Sequence, residues 1–259
     1  MAPAAPSRRR TSRRSIVIGA CVALAALLLG ALSQFATGGS GTSGSGSPGP
    51  EASDATGGSP AGGEPGSAAP ARRQAGDAMA QGRRDAPVVL VEYADFACSF
   101  CGKFARDTEP GLVRKYVDSG VLRIEWRNLP IFGEDSERAA RAAWAAGRQH
   151  RFWQFHRAAY ADEDSKAKGF GQERLDALAR EAGVPDLKRF RRDAGSDAAR
   201  ASVRRDQEEG YGLGATSTPS FLVNGRPIAG AQPGEVFNQA IDAATKAARK
   251  QPGGKGAAK

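Results

Sequence analysis

Histidine and cysteine are scarce in this chain, whose 259 residues include only two histidines and three cysteines. The two histidines, His150 and His156, lie far along the chain from Cys98 and Cys101 and lack the spacing of zinc ligands. No Ser/His/Asp pattern is visible, and the glycine-rich stretch 212–217 lacks the strand and helix that a phosphate-binding loop requires. We therefore expect no metal site and no bound cofactor.

Large aliphatic and aromatic residues are absent from residues 37–71. Such a segment cannot bury enough apolar surface to offset the entropy lost on ordering, so we predict a disordered linker over residues 37–83. The glycine-rich tail, residues 251–259, is predicted to be disordered for the same reason. Residues 84–250 then remain for one compact domain.

Positive charge is concentrated at the N-terminus rather than on the predicted domain. The formal net charge is +9, and five arginines precede residue 15. Residues 83–250 contain 28 Lys and Arg against 24 Asp and Glu, with the two signs alternating along the chain. A nucleic-acid site needs a concentrated basic face, so we expect no nucleic-acid partner.

An uncharged apolar run from Ile16 to Leu32 follows the arginines. We predict a basic cytoplasmic head over residues 1–15 and a single-pass membrane anchor over residues 16–36, with the following domain outside the cytoplasm. Three alternatives remain open: cleavage near Ala31-Leu32-Ser33 to give a secreted product, a twin-arginine signal at Arg13-Arg14, and a lipoprotein site at Cys21. Every alternative places the domain outside the cytoplasmic membrane.

Disulfides persist in that compartment, and the predicted exported part contains only Cys98 and Cys101. A disulfide closing so short a loop removes little entropy from the unfolded chain, so a reactive pair is a better explanation than a structural staple. If Cys98 begins a helix, the free backbone N–H groups there favour its thiolate and lower its pKa. Cys101, one turn later, would face the interior and be the poorer nucleophile.

The remaining sequence pattern predicts an α/β domain. Val88–Tyr93 and Val121–Arg127 read as strands on either side of a helix over residues 98–118 that Pro110 kinks, which implies a parallel pair. A helical block follows over about residues 134–212, starting at a cap on Asp135 or Ser136. Residues 220–223 and 226–229 form a predicted hairpin around Asn224-Gly225, and a last helix runs from Pro233 to about Lys250.

The chain resembles the DsbA-like thiol–disulfide oxidoreductases, which have a thioredoxin fold with a helical insertion. The resemblance covers about residues 86–249 and depends on four features in order: the strand with Glu92, Cys98-Ser-Phe-Cys101, the helical insert, and Thr218-Pro219 before the hairpin. It implies catalytic roles for Cys98, Cys101, Glu92 and Pro219.

The resemblance also assigns a function to the residues around the pair. It implies that Glu92 is a buried acid that carries the proton of Cys101, although a solvent-facing carboxylate is the alternative. Pro219 would be cis beside the disulfide, rather than an ordinary trans turn proline, and Thr218 would pair with the client backbone. Ser99 and Phe100 would contact substrate. Strongly oxidising members of the family carry Pro-His at these two positions, so the sequence leaves open whether the protein is an oxidase, an isomerase or a reductase.

The partners that the resemblance implies are secreted proteins with free thiols and a quinone-linked membrane oxidoreductase that reoxidises the pair. A non-enzymatic alternative is an anchored binding module with an inert disulfide, which could use the aromatic residues Phe152, Trp153 and Phe155 as an interface. The reactivity of Cys98 distinguishes the two functions.

Overall fold

The structure is a computed structural model that describes residues 70–163 and 167–250. The predicted basic head, membrane anchor, most of the linker and the tail lie outside the described residues. Within the described part, no helix is long and apolar enough to cross a membrane.

A five-stranded mixed sheet forms the centre of the domain. The strands are β1 (Ala80–Gln81), β2 (Val88–Ala94), β3 (Leu122–Asn128), β4 (Ser220–Val223) and β5 (Arg226–Ala229). Their order in the sheet is β1-β3-β2-β4-β5. β2 and β3 are parallel, and the other neighbouring pairs are antiparallel. The predicted strand–helix–strand unit and hairpin are both confirmed.

The connection between β2 and β3 is one helical run that changes its hydrogen-bonding pattern twice. It consists of α1 (Ser99–Lys103), a π-helical turn (Phe104–Thr108), α2 (Glu109–Leu112) and a second π-helical turn (Val113–Val117). Pro110 lies at the start of α2 between the two π-helical turns. The kink predicted at this proline thus coincides with a wider π-helical turn on each side of it.

Five α-helices lie in the described part of the predicted insertion, and one follows the hairpin. They are α3 (Glu134–Gly147), α4 (Phe152–Tyr160), α5 (Gln172–Glu181), α6 (Leu187–Ala194), α7 (Asp197–Gly212) and α8 (Gly234–Lys250). The capping prediction for α3 is wrong, because Gly133 occupies the N-cap without a side-chain bond. The Asp135 side chain instead accepts a hydrogen bond from the backbone N–H of Phe170.

The apolar core lies on both faces of the sheet. On one face, Val88 and Leu90 of β2 pack with Phe104, Phe221 and other residues of the first helical run, β4 and α8. A larger cluster continues along the same face and joins Phe96 and Trp126 to the aromatic residues of α4, including Phe152 and Phe155. The opposite face carries a smaller cluster that includes Val89, Val91 and Tyr93. Phe152 and Phe155 are buried, so they belong to the core rather than to an exposed interface.

The domain includes residues that precede the predicted boundary at residue 84. β1 pairs with the edge of β3 through Ala80↔Glu125 and Gln81↔Ile124. Residues 70–74 also contact the sheet, because the backbone N–H groups of Arg72 and Arg73 both donate to the Glu125 carboxylate. Polar contacts rather than large apolar side chains hold residues 70–74 against the sheet, which explains why the composition of this stretch resembles that of a linker.

Candidate active site

The loop between β2 and α1 is fixed by a network around Asp95. The Asp95 carboxylate accepts hydrogen bonds from the backbone N–H groups of Ala97 at 2.8 Å and Ile131 at 2.7 Å. Its backbone carbonyl accepts from Cys98 N–H at 2.9 Å and from the Tyr160 hydroxyl at 2.8 Å. The loop that presents Cys98 is therefore held by both the segment that follows β3 and α4.

Cys98 occupies the N-cap of α1, with extended backbone angles of φ −85° and ψ 119°. Both cysteines are thiols in the structure. Cys98 retains 4% of its surface exposed, whereas Cys101 is completely buried. The Cys98 thiol lies 3.3 Å from the backbone carbonyl oxygen of Thr218 and donates to it. The next peptide bond, between Thr218 and Pro219, is cis, as the resemblance implies.

The two thiols differ strongly in acidity. The pKa of Cys98 is lowered to about 6, mainly because Cys101 hydrogen-bonds to it; burial opposes this effect, and the Thr218 side chain and backbone N–H groups contribute further to the lowering. The pKa of Cys101 is raised well above its usual value, chiefly by burial and also by its bond to Cys98. The bond to the Thr218 carbonyl belongs to the protonated Cys98, since only an S–H can donate to it.

The Thr218 side chain lies at the same place with an unused hydroxyl. Its Oγ1 atom is buried and makes no hydrogen bond to the described residues. A hydroxyl is both donor and acceptor, so it can turn toward the Cys98 sulfur once that sulfur ionises. This agrees with the contribution of Thr218 to the low Cys98 pKa.

Glu92 lies inside the sheet rather than at its solvent edge. Its side chain is fully buried, and neither carboxylate oxygen has a hydrogen-bond partner among the described residues. Burial raises the pKa of Glu92 well above its usual value, and the charges of Glu109 and Cys98 act in the same direction. Glu92 in turn contributes to the raised pKa of Cys101. The solvent-facing alternative is therefore wrong.

The dipeptide between the cysteines faces outward. Ser99 is exposed, and the Phe100 side chain is 65% exposed, the largest fraction of any large apolar residue described. This exposed aromatic side chain leaves apolar surface open beside the cysteine pair. Phe100 has no group that could donate a hydrogen bond to the Cys98 thiolate.

Sequence reasoning brought together the residues that adjoin the pair but missed several that support it. Asp95 could have been found from its position three residues before Cys98, where an aspartate commonly accepts bonds from the following backbone. Glu109 and His156 gave no local signal, because they approach each other only through tertiary packing. His156 lies in the aromatic cluster and His150 is exposed.

Over residues 70–163 and 167–250, no group of three or more His, Cys, Asp or Glu side chains could hold a metal ion. The polar groups beside Cys98 instead suit sulfur chemistry. A low-pKa thiol near the surface and a high-pKa thiol behind it favour stepwise exchange, in which the first attacks or leaves and the second resolves.

Comparison with known proteins places this geometry in a family. A family model described as Thioredoxin matches residues 74–243. Probable disulfide bond formation protein D of Bacillus anthracis is 30% identical over 148 residues, which cover 56% of this chain and 68% of that protein. The Na(+)/H(+) antiporter NhaA 3 of Salinispora tropica is 34% identical over 179 residues, which cover 67% of this chain but 26% of the antiporter.

A solved structure agrees on the fold. BdbD from Bacillus subtilis, in its oxidised form, superimposes with a TM-score of 0.61 over 66% of this chain and 94% of BdbD, at 22% identity. The fold, the extent of the family match and the similarity to disulfide bond formation protein D agree with one another. The chain belongs to the DsbA-like thiol–disulfide oxidoreductase family of the thioredoxin fold.

Proposed function

We propose that this protein is an extracytoplasmic thiol–disulfide oxidoreductase that introduces disulfides into secreted or membrane proteins through Cys98 and Cys101. One observation carries the proposal: the pKa of Cys98 is lowered to about 6 while that of Cys101 is raised well above its usual value. A lower pKa makes a thiol a better leaving group and the pair that contains it a stronger oxidant.

The reaction takes two exchange steps. A client thiolate attacks the Cys98 sulfur of the oxidised pair, which breaks the Cys98–Cys101 bond and releases Cys101 as a thiolate. The buried Glu92 carboxyl group gives its proton to that thiolate. A second client thiolate then attacks the client sulfur of the mixed disulfide and releases Cys98 as a thiolate, so the client is oxidised and the pair is reduced.

Neighbouring residues position the client. Thr218 carries a backbone carbonyl 3.3 Å from the Cys98 sulfur, which suits it to pair with the client backbone next to the attacked sulfur. Pro219 directs that carbonyl and offers no N–H group of its own. The exposed side chains of Ser99 and Phe100 provide polar and apolar contact on the other side of Cys98.

The cellular setting completes the proposal. Residues 16–36 would anchor the protein as a single-pass membrane protein, or be cleaved, and leave the domain outside the cytoplasm. An oxidising compartment favours net disulfide donation. Because each turnover leaves the pair reduced, an external oxidant is needed, for which a quinone-linked membrane oxidoreductase is the proposed partner.

The test is the equilibrium reduction potential of the full chain against glutathione, measured in a Cys21→Ser background so that only the pair is titrated. We expect a value above about −180 mV, typical of a disulfide donor. Cys98→Ser is the control and should abolish exchange.

Other outcomes separate the alternatives. A potential near −270 mV, about that of thioredoxin, would assign a reductase instead of an oxidase. A pair that never equilibrates with glutathione would rule out the enzyme and leave the binding module with an inert disulfide.

A further inference from the structure

Behind the cysteine pair lies a buried polar cluster of Glu92, Glu109 and His156, which come from three different elements. Their exposed fractions are 0%, 5% and 1%. Both carboxylate oxygens of Glu92 and both ring nitrogens of His156 lack a hydrogen-bond partner among the described residues. Because more than about 90% of buried polar groups in folded proteins are paired, so many unpaired atoms at one place call for a functional explanation. The exchange steps above use only Glu92.

Electrostatic interactions and ring contacts link the three side chains between the pair and the half-buried Gln81. Glu92 is the register partner of Trp126 on β3, and the edge of the Trp126 ring meets His156 with the ring centres 5.0 Å apart. His156 Nδ1 lies 3.8 Å from Glu109 Oε2. The other Glu109 oxygen accepts a hydrogen bond of 2.8 Å from the side chain of Gln81, which is only half-buried on β1.

The contact between Glu109 and His156 is not an ion pair near neutral pH. Burial lowers the pKa of His156 to about 3, with a smaller effect of Arg157 in the same direction, so the imidazole is uncharged. Burial also raises the pKa of Glu109 to about 7, which Gln81 and Arg157 partly oppose. Glu109 is thus an acid that can both give and take a proton under ordinary conditions.

The charged and titratable groups that interact with Glu109 come from two packed elements. They are Glu92 of β2, and His156 and Arg157 of α4. The two thiols and the Tyr160 hydroxyl interact with Glu92 instead. On α8, the Asp242 carboxylate accepts a hydrogen bond from Tyr116. The Glu109 charge raises the pKa of Glu92, so the protonation states of the two acids depend on each other.

We propose that Glu109 is a positioning residue that relays protons between the buried Glu92 and solvent beside Gln81, with neutral His156 packed beside its carboxyl group. The inference rests on the proposed exchange chemistry of the pair. When the disulfide opens, Glu92 gives its proton to the Cys101 thiolate, and Glu109 gives its proton to Glu92. Water beside Gln81 then reprotonates Glu109, so the net change is one proton from solvent to Cys101.

The test measures how fast dithiothreitol opens the disulfide of the oxidised full chain in a single turnover. The rates of wild type and Glu109→Gln are measured between pH 5.5 and 9, and their ratio is compared at each pH. This ratio cancels the titration of dithiothreitol itself. Glutamine keeps the shape of the side chain but cannot relay a proton. At pH 5.5 we expect the wild-type disulfide to open about tenfold faster than that of the variant. This is a smaller effect than direct general acid catalysis gives, because Glu109 acts through Glu92. The ratio should fall toward one above pH 8, with its midpoint near the Glu109 pKa of about 7.

Two further variants separate a relay from a structural effect. Glu109→Asp keeps a titratable group and should restore part of the pH-dependent advantage. Asp206→Asn removes a different fully buried carboxylate, on α7, and should lower thermal stability while its rate ratio stays flat with pH.

A flat ratio for Glu109→Gln, or the same pH-dependent ratio for Asp206→Asn, would overturn the relay. Either result would leave the proposed function intact, provided that the wild-type disulfide opens. A wild-type disulfide that dithiothreitol cannot open would instead remove the proposed function and the relay together.

Discussion

Glu92 and Glu125 are both fully buried glutamates on the two central parallel strands, yet their surroundings are opposite. Glu92 has no hydrogen-bond partner among the described residues, and its pKa is raised well above the usual value by burial. Glu125 accepts from Arg123 and Arg127 and from two backbone N–H groups. Its pKa is lowered, because these partners outweigh burial.

The difference follows from which face of the sheet each side chain occupies. Glu125 belongs to a buried ionic network that continues to α7, where Glu209 accepts from Arg127 and from the Tyr93 hydroxyl, and Asp206 pairs with Arg72. Glu92 faces the first helical run and the cysteines. The domain therefore uses one buried glutamate to hold elements together and leaves the other unpaired beside the reactive pair, where an acid that can titrate is useful.

Glu125→Leu should give the largest change in stability. It would leave Arg127, which is fully buried, and Arg123, which is 5% exposed, without their main anionic partner. Removing one member of a buried ion pair costs about 3–5 kcal/mol, so we expect a loss of that size in the free energy of unfolding by urea. Residues 70–74 should also become sensitive to protease, because Glu125 binds their backbone. A loss below about 1 kcal/mol would mean that the network contributes little.

Glu109→Gln should change how stability depends on pH. A carboxyl group whose pKa is higher in the folded protein stabilises the fold fully below the unfolded value of 4.5, and this contribution is lost as the pH rises through the folded value of about 7. The oxidised wild type should therefore lose about 2 kcal/mol more than the variant between pH 5 and pH 8. Urea unfolding at the two pH values measures this difference, with the exposed Glu137→Gln as control. Parallel curves for wild type and Glu109→Gln would contradict the raised pKa.

How far the sequence predicts this arrangement depends on whether the signal is local. Asn224 and Gly225 have positive φ values of 45° and 82°, which their residue types favour, so the hairpin could be predicted from adjacent residues. The C-x-x-C spacing likewise placed Cys98 at a helix start. The pairing of β1 with β3 depends on contacts between residues far apart in the chain, and no local pattern announces it.

The two buried glutamates also show how tertiary contacts limit prediction from sequence. Both follow an apolar residue within a strand, and the only local difference is that arginines lie two positions before and after Glu125. Arg123 and Arg127 alternate with Glu125 in sequence, which suggests a polar face in contact with solvent. The structure instead buries all seven residues of β3, since α7 and residues 70–81 cover that face. Such coverage is a property of the tertiary fold.

Glu92→Leu tests the other half of the comparison and should have the opposite sign from Glu125→Leu. Glu92 is unpaired, so replacing it with an apolar side chain removes a buried polar group without stranding any partner. We expect the oxidised protein to gain about 1–2 kcal/mol of unfolding free energy at pH 7. The variant should also exchange disulfides more slowly, because Cys101 loses its proton donor. A loss of stability would show that Glu92 has a structural partner after all.

Tyr93→Phe should give the smallest change in stability, because Tyr93 lies at the edge of the ionic network. The Tyr93 hydroxyl donates to Glu209 at 2.7 Å, and Glu209 keeps its bonds to Arg72 and Arg127 when that hydroxyl is removed. The expected loss is therefore about 1 kcal/mol, that of one hydrogen bond in a site that stays satisfied.

Tyr160→Phe is the matched control on the cysteine side, where the hydroxyl donates to the Asp95 carbonyl at 2.8 Å. Its stability loss should be similar, but it should also disturb the loop that presents Cys98. A shift in the pH at which iodoacetamide reacts with Cys98, seen for Tyr160→Phe and absent for Tyr93→Phe, would confirm that the two faces of the sheet have separate tasks. Equal shifts in both variants would show instead that the ionic network also acts on the pair.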